Sequence, residues 1–139
     1  MPRKVLRVFL DANVLFSAAY RQKAGLLSLW DVPGAEILTS GYAAEEARRN
    51  LSEEAARSRL EQLLEKTTLV AEAVEVSLPS SIRLPAKDQP ILQAAIAAEA
   101  THLVTGDLRD FGLLLGRRIA GVQIQTPADF LRGHRSGRG

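Results

Sequence analysis

Short apolar runs alternate along this chain with longer segments in which apolar residues recur at helical spacing. Each apolar run ends at a polar residue or a glycine, which is typical of interior strands in a parallel sheet. The third run is the least distinct, because residues 74–76 compete with residues 67–71, which we favour. The predicted strands are residues 5–10, 37–39, 67–71, 103–105 and 122–124.

The segments between these runs carry helical periodicity and signals for helix starts. Pro90 lies in the first turn of an alanine-rich helix, where its missing N–H is not needed, and Ser40, Ser52 and Thr126 stand where N-caps are expected. Residues 108–115 form a short helical or turn segment. The predicted helices are residues 11–20, 26–30, 42–50, 53–64, 127–131 and an alanine-rich helix within residues 86–100 that has Asp88 at its start. This alternation predicts an α/β fold, a three-layer α/β/α sandwich around a central, mainly parallel sheet.

Size and composition fit one globular domain. The chain has 139 residues, of which 46% are hydrophobic and 24% charged, enough to bury a substantial core. We assign the domain to residues 1–131 and predict that the basic tail, residues 132–139, is disordered, because it is rich in Gly, Arg and Ser. No apolar run approaches the roughly 20 residues of a membrane helix, so we expect a cytoplasmic protein with no membrane partner.

The absence of cysteine excludes disulfide scaffolds, thiolate metal sites and cysteine nucleophiles. Any bound metal would therefore have mainly oxygen ligands. The net charge is only +2, yet basic residues cluster near both ends, which fits either a modest phosphate-binding surface or solvated termini. They are Arg3, Lys4, Arg7, Arg132, Arg135 and Arg138.

Acidic residues follow or flank the predicted strands, and the topology of a parallel sheet should bring them together. Asp11 and Asp107 come after the first strand and the strand at 103–105, and the carboxyl ends of parallel strands share one edge of the sheet. Asp88 opens the alanine-rich helix near that edge. Glu46 lies just over one turn into the helix after the second strand, so it can reach the same place.

Glu45 and Glu46 compete for the inward position on that helix. Glu45 has Arg48 at i+3 and Arg49 at i+4, which favours a solvated helix pair. Glu46 faces Asn50 and lies nearer the apolar flank of the helix. We therefore predict that Glu46 is the inward acid.

Each of the three aspartates also precedes a helix, so each taken alone is more simply an N-cap. Capping does not require the four carboxylates to lie close together, however, and bringing them together costs electrostatic free energy. Two unit charges about 4 Å apart repel by about 4 kcal/mol at an effective dielectric near 20, and a helix dipole offsets only about 0.3–1 kcal/mol. A divalent cation is the evident remedy, and oxygen ligands select Mg²⁺ or Mn²⁺ over zinc.

Several stretches, taken in order, resemble the PIN domain, and most closely its small, single-domain VapC-like ribonucleases of toxin–antitoxin pairs. No one motif is specific, but their order and spacing over residues 5–131 are. The stretches are residues 9–17 (FLDANVLFS), the helix after Ser40 with Glu45 and Glu46, residues 87–95 (KDQPILQAA), residues 103–111 (LVTGDLRDF) and residues 121–131 (GVQIQTPADFL).

The resemblance implies a Rossmann-like sandwich and Mg²⁺- or Mn²⁺-dependent hydrolysis of RNA phosphodiester bonds, by one ion or by two. It also implies a homodimer and a cognate antitoxin partner. By position, the metal-binding acids are Asp11, Glu46, Asp88 and Asp107. Polar companions are Asn13, Ser17 and Thr105, with Asp110 as an auxiliary acid. Lys87 and Arg109, beside two of the acids, are candidates for binding substrate phosphates, although surface solvation accounts for them equally well.

Competing interpretations draw on other residues. His102 and His134 are the only histidines, and a metal-free acid–base ribonuclease is disfavoured because His134 lies in the predicted tail. Trp30, Tyr20 and Tyr42 fit core or interface positions better than base-stacking platforms. A phosphoacceptor signalling domain would need an Asp after the third strand and a Lys after the fifth, and neither is present. A catalytically silent PIN domain that binds RNA or protein remains the main alternative.

Overall fold

The computed structural model describes residues 6–134. Its strands are β1 Leu6–Leu10, β2 Ala35–Ser40, β3 Thr68–Val70, β4 His102–Val104, β5 Arg118–Ile119 and β6 Val122–Gln125. Its α-helices are α1 Ala12–Arg21, α2 Ala24–Leu27, α3 Gly41–Asn50, α4 Glu54–Glu65, α5 Gln89–Ala97 and α6 Pro127–His134. Short 3₁₀ helices follow α2 at Ser28–Asp31 and precede β5 at Gly112–Leu114. None of the helices in this range is both long and apolar enough to cross a bilayer.

The strands form one sheet in the spatial order β3, β2, β1, β4, β6, β5, parallel except for the β5–β6 pair. Phe9 in the middle of the sheet pairs with Leu38 on one side and Leu103 on the other. Helices flank this sheet, so the prediction of an α/β fold with a central, mainly parallel sheet is confirmed. The parallel register brings the carboxyl ends of β1, β2, β4 and β6 to one edge.

The core is built from large apolar residues on the strands and from both large and small apolar residues on the helices that cover them. Phe9, Leu10 and Leu103 are fully buried, as are Ala94 and Ala95 of α5. Alanine has little side chain to hold a helix away from its neighbours, so α5 can pack closely at the middle of the sheet. The start of α5, at Asp88, is thereby fixed near the sheet edge.

Helix α5 and strand β5 differ from the prediction because each depends on a local backbone conformation that the residue pattern does not signal. Helix α5 ends at Ala97 rather than residue 100, where Glu99 adopts a left-handed conformation (φ 57°) and Ala100 N–H donates to Ala95 O over 2.9 Å. This is a Schellman ending without the usual glycine. Strand β5 was not predicted because it has only two residues, closed onto β6 through a turn at Ala120 and Gly121, both with positive φ.

Cap predictions are borne out at two of three positions. Ser40 Oγ accepts from Ala43 N–H at the start of α3, and Thr126 Oγ1 accepts from Asp129 N–H in α6. Ser52 does not cap α4, which begins after Glu53 without a side-chain cap. The third strand is formed by Thr68–Val70, within the favoured stretch.

The last helix runs to His134, beyond the predicted end at Leu131, so His134 does not belong to a disordered tail. Its ring stacks on fully buried Phe130 with centroids 4.4 Å apart and meets the edge of His102 at 5.1 Å. Burial lowers the pKa of His102 to about 4. Both rings lie by the amino end of β4, away from the acids. Val5, Arg3, Lys4 and residues 135–139, which include Arg135 and Arg138, lie outside the described part of the chain.

This stack makes a stability prediction. Phe130→Ala should lower the free energy of unfolding by about 3–5 kcal/mol, because it removes a buried ring that packs on two others. Urea denaturation measures this change. Leu113→Ala is the control, since Leu113 is 85% exposed and its loss should cost no more than about 0.5 kcal/mol. Equal effects of the two substitutions would contradict this account of the packing.

Candidate active site

A cavity of about 430 Å³ opens at the carboxyl edge of the parallel strands. All four acids that the sequence singles out line it: Asp11, Glu46, Asp88 and Asp107. The rest of its wall consists of Ala12, Asn13, Phe16, Asn50 and Lys87. Acids that are up to 96 residues apart in sequence therefore share one concave surface.

Asp11 is the most buried of these acids, at 4% exposure. One carboxylate oxygen accepts from Ala12 N–H at 2.7 Å, so Asp11 does cap α1. The other oxygen accepts from Thr105 Oγ1 at 2.8 Å and from Asn13 Nδ2 at 3.1 Å. Burial nevertheless raises the pKa of Asp11 above its usual value. The Asp11 side chain therefore both caps α1 and lines the cavity.

The turn after β4 is fixed by side chains from both central strands. Thr105 Oγ1, which donates to Asp11, also accepts from Asp107 N–H at 3.1 Å. Asn13 Oδ1 accepts from Gly106 N–H at 2.7 Å, and a β-carbon at Gly106 would lie 3.2 Å from that oxygen. The absence of a side chain at Gly106 therefore allows this close contact, which holds Asp107 at the cavity.

Asp88 stands at the start of α5 but makes no capping hydrogen bond, and it is only 7% exposed. Its carboxylate instead lies close to those of Asp107 and Asp110, with one oxygen of each within 4.8 Å of the others. Burial raises the pKa of Asp88 to about 7. N-capping alone does not produce this convergence of three carboxylates.

Lys87 and Asp110 form an ion pair at the rim of the cavity. Lys87 Nζ lies 2.7 Å from Asp110 Oδ2 and 3.3 Å from Asp88 Oδ2. The hydrogen bond to Asp110 raises the pKa of Lys87 and lowers that of Asp110. Asp107 Oδ1 in turn accepts from Asp110 N–H at 2.9 Å.

Helix α3 presents Glu46 to the cavity and Glu45 to solvent. Ala43 and Ala47 are fully buried on the face that packs inward, and Glu46 is half-buried beside them. Glu45 is exposed and pairs with Arg48 across 3.5 Å. The helix register therefore separates these two neighbouring acids as the i+3 and i+4 spacing predicted.

Four predicted residues are not part of the cavity wall. Thr105 and Asp110 contact wall residues, Asp11 and Lys87 respectively. Ser17 lies in a neighbouring groove of about 540 Å³, whose apolar residues include Leu26 and Leu131. Arg109 is exposed. Among the basic residues near the ends, Arg7 pairs with Glu36 and Arg132 with Asp129, each at 2.6 Å.

The sequence interpretation missed one residue that positions the site. Tyr42 Oη donates to Lys87 O at 2.6 Å, which ties the start of α3 to the segment before α5. Tyr42 precedes Glu46 by four residues, so helical spacing places both on one face. That spacing was the available signal, but a tyrosine at a helix start reads equally well as a core residue.

The donors of the cavity fit a hard divalent cation. They are carboxylate and amide oxygens with no thiolate or imidazole among the wall residues, and such oxygens suit Mg²⁺ or Mn²⁺. The three clustered carboxylates are close enough to share one ion. Because Asp88 is buried, its ionised form is a cost to the fold when no ion is bound.

This cost should be measurable as a pH dependence. A carboxyl whose pKa is raised on folding contributes stability that is lost as the pH rises through its folded value, here about 7 for Asp88. In EDTA we expect Asp88→Asn to melt several degrees above the wild type at about pH 8, and the difference to shrink as the pH falls through 7 toward the usual carboxyl value of 3.8. Thermal melts check this. Asp129→Asn, which removes an acid outside the cavity, is the control, and a pH-independent difference for Asp88→Asn would contradict it.

The sequence matches the family model for the PIN domain over residues 7–109. No curated protein matches it significantly. Three of the solved structures that share its fold contain VapBC proteins. One is a chain of VapBC2 from Rickettsia felis, in a structure bound to a DNA fragment from the VapBC2 promoter. Its TM-score is 0.66 at 16% sequence identity, and the match covers 87% of this chain and 98% of that chain.

The other two structures are similarly distant in sequence. A chain of DNA-bound VapBC from Salmonella typhimurium gives a TM-score of 0.62 at 18% identity, covering 88% of this chain and 99% of the other. VapBC-1 from nontypeable Haemophilus influenzae gives 0.58 at 13% identity with the same coverage. At these identities the likeness establishes the fold. Because the family model spans residues 7–109 of 139, with all four cavity acids inside it, this chain belongs to the PIN-domain family.

Proposed function

We propose that this protein is a divalent-metal-dependent ribonuclease that hydrolyses RNA phosphodiester bonds. One observation carries the proposal: one oxygen from each of Asp88, Asp107 and Asp110 lies within 4.8 Å of the others, beside a cavity whose wall includes Asp88 and Asp107 together with Asp11 and Glu46. Membership of the PIN-domain family supports the assignment to nuclease chemistry. Like charges gathered at an open cavity are costly to the fold and become useful when a cation and a phosphate occupy it.

The position of each residue in the site indicates its role. Asp11, Glu46, Asp88 and Asp107 would hold Mg²⁺ or Mn²⁺, which when bound activates a water molecule and stabilises negative charge on the phosphate. Thr105 and Asn13 orient the carboxylate of Asp11 through their hydrogen bonds to it. Asp110 is an auxiliary acid that fixes Lys87. Arg109 and Ser17 are candidates for contact with RNA beyond the cavity.

We further propose that the protein is the toxin of a type II toxin–antitoxin pair and acts as a homodimer. The similarity in fold to three VapBC structures, two of them bound to DNA, supports a cognate antitoxin as partner. The small size of the chain and its coverage of nearly the whole length of those structures agree with this assignment.

Cleavage of mixed cellular RNA tests the activity. Wild-type protein should cut RNA with Mg²⁺ or Mn²⁺ and should stop when the metal is chelated. Asp11→Asn, Asp107→Asn and Glu46→Gln should each reduce the rate by about 100-fold or more, since even outer-shell partners of metal ligands contribute about 10–100-fold. Glu45→Gln is the matched control for Glu46→Gln, because Glu45 points away from the cavity.

Two results would reject the proposal. Cleavage that persists in chelator would rule out the metal-dependent mechanism. The absence of metal-dependent cleavage by the wild type across a divalent-metal titration would favour a catalytically silent PIN domain that binds RNA or protein.

The role of Thr105 can be tested on metal binding alone. Thr105→Val removes the hydroxyl that holds Asp11 while keeping a side chain of the same shape, so Mn²⁺ should bind about 10–100-fold more weakly. Isothermal titration calorimetry measures the affinity. Thr101→Val is the control, because Thr101 precedes the other end of β4 and bonds to the backbone of Arg7. Unchanged affinity in Thr105→Val would remove Thr105 from the site.

A further inference from the structure

Lys87 places a positive charge against the acid cluster formed by Asp88, Asp107 and Asp110. Its ammonium contacts both Asp110, at 2.7 Å, and Asp88, at 3.3 Å, and the same lysine lines the cavity. Asp88, Asp107 and Asp110 are the three acids whose oxygens lie within 4.8 Å of one another. The ammonium thus occupies a position between two carboxylates that a metal ion would otherwise take.

Covalent attachment keeps this cation in place. The backbone of Lys87 is held by Tyr42 Oη, which donates to its carbonyl at 2.6 Å, and Asp88 N–H donates to Pro85 O at 2.9 Å. The side chain therefore leaves from a fixed point next to its two partners. A free ion competing for the same carboxylates would have to displace a charge whose local concentration is always high.

The Lys87 ammonium also changes the charge of the acids it contacts. Within the cluster, the carboxylates of Asp88, Asp107 and Asp110 carry three negative charges, which one divalent ion and the ammonium match. An ammonium has three N–H donors, and only two face Asp88 and Asp110, so the third remains for a phosphate oxygen in the cavity.

We infer that Lys87 is a built-in second cation, so that this site binds a single divalent ion where a two-metal nuclease would bind a pair. The inference rests on the proposed function, since it concerns how that site holds its metal. It assigns Lys87 to the phosphate-binding machinery and Asp110 to positioning Lys87. Two-metal sites hold two ions about 3.5–4 Å apart. Here the Lys87 ammonium takes the place of one of those ions.

Mn²⁺ stoichiometry tests this directly, without an activity assay. Calorimetry should give one ion per chain for the wild type, with the hyperfine-resolved electron paramagnetic resonance spectrum of isolated Mn²⁺. Lys87→Met keeps the length of the side chain and removes its charge, so it should bind two ions that give a broadened, spin-coupled spectrum. Lys87→Arg, which keeps the charge, should bind one ion. Lys87→Met combined with Asp110→Asn should return to one ion, because the second site loses a ligand.

Lys87 is exposed, and circular dichroism will verify that each variant is folded. Two coupled ions in the wild type, or a single ion in Lys87→Met, would overturn the role of Lys87 and leave the proposed nuclease site standing. The absence of Mn²⁺ binding by every variant would overturn the metal site itself, and the role of Lys87 with it.

Discussion

A buried carboxylate at the end of the first strand is the constraint on which the acidic edge depends. Asp11 is almost inaccessible to water, and its neighbours in β1 and β4 are fully buried. A carboxylate in such a place needs donors, which here are Ala12 N–H, Thr105 Oγ1 and Asn13 Nδ2. These bonds connect β1 to the end of β4 beyond the sheet ladder itself. Thr105 and Asn13 also bond to the turn that carries Asp107. The hydrogen bonds that Asp11 needs therefore also position Asp107.

The site therefore consists of two parts with different supports. Asp11 and Asp107 are held by strands and by hydrogen bonds that cross the middle of the sheet. Asp88 belongs to the segment before α5, which is held through the Tyr42 contact to Lys87 O and the contacts of the Lys87 ammonium. Adjustment to a bound ion or phosphate is easier in the second part, since side-chain contacts near solvent yield more readily than a buried sheet.

Topology made the convergence of acids predictable from the sequence. Parallel strands share an edge, so Asp11 and Asp107 had to meet, and the spacing of Arg48 and Arg49 separated Glu45 from Glu46. The parts that could not be predicted depend on backbone conformation without a residue signal. Glu99 ends α5 in a conformation usually left to glycine, and the two-residue β5 has no periodicity. The Tyr42 and Lys87 contacts depend on side-chain directions between segments far apart in sequence, which a pattern along the chain does not encode.

The two edges of the sheet respond to acid in opposite ways. At the carboxyl edge, burial favours the protonated forms of Asp11 and Asp88, so acidification relieves repulsion there. At the amino end of β4, burial disfavours protonated His102. Between about pH 6.5 and 4 the unfolded chain therefore binds a proton at His102 that the folded chain does not bind, and the folded state loses stability. In acid, therefore, the packing of the last helix on the sheet weakens while the pocket of carboxylates relaxes. Protonation of His102 therefore costs the folded state stability at the amino end of β4, whereas protonation of Asp11 or Asp88 at the opposite edge does not.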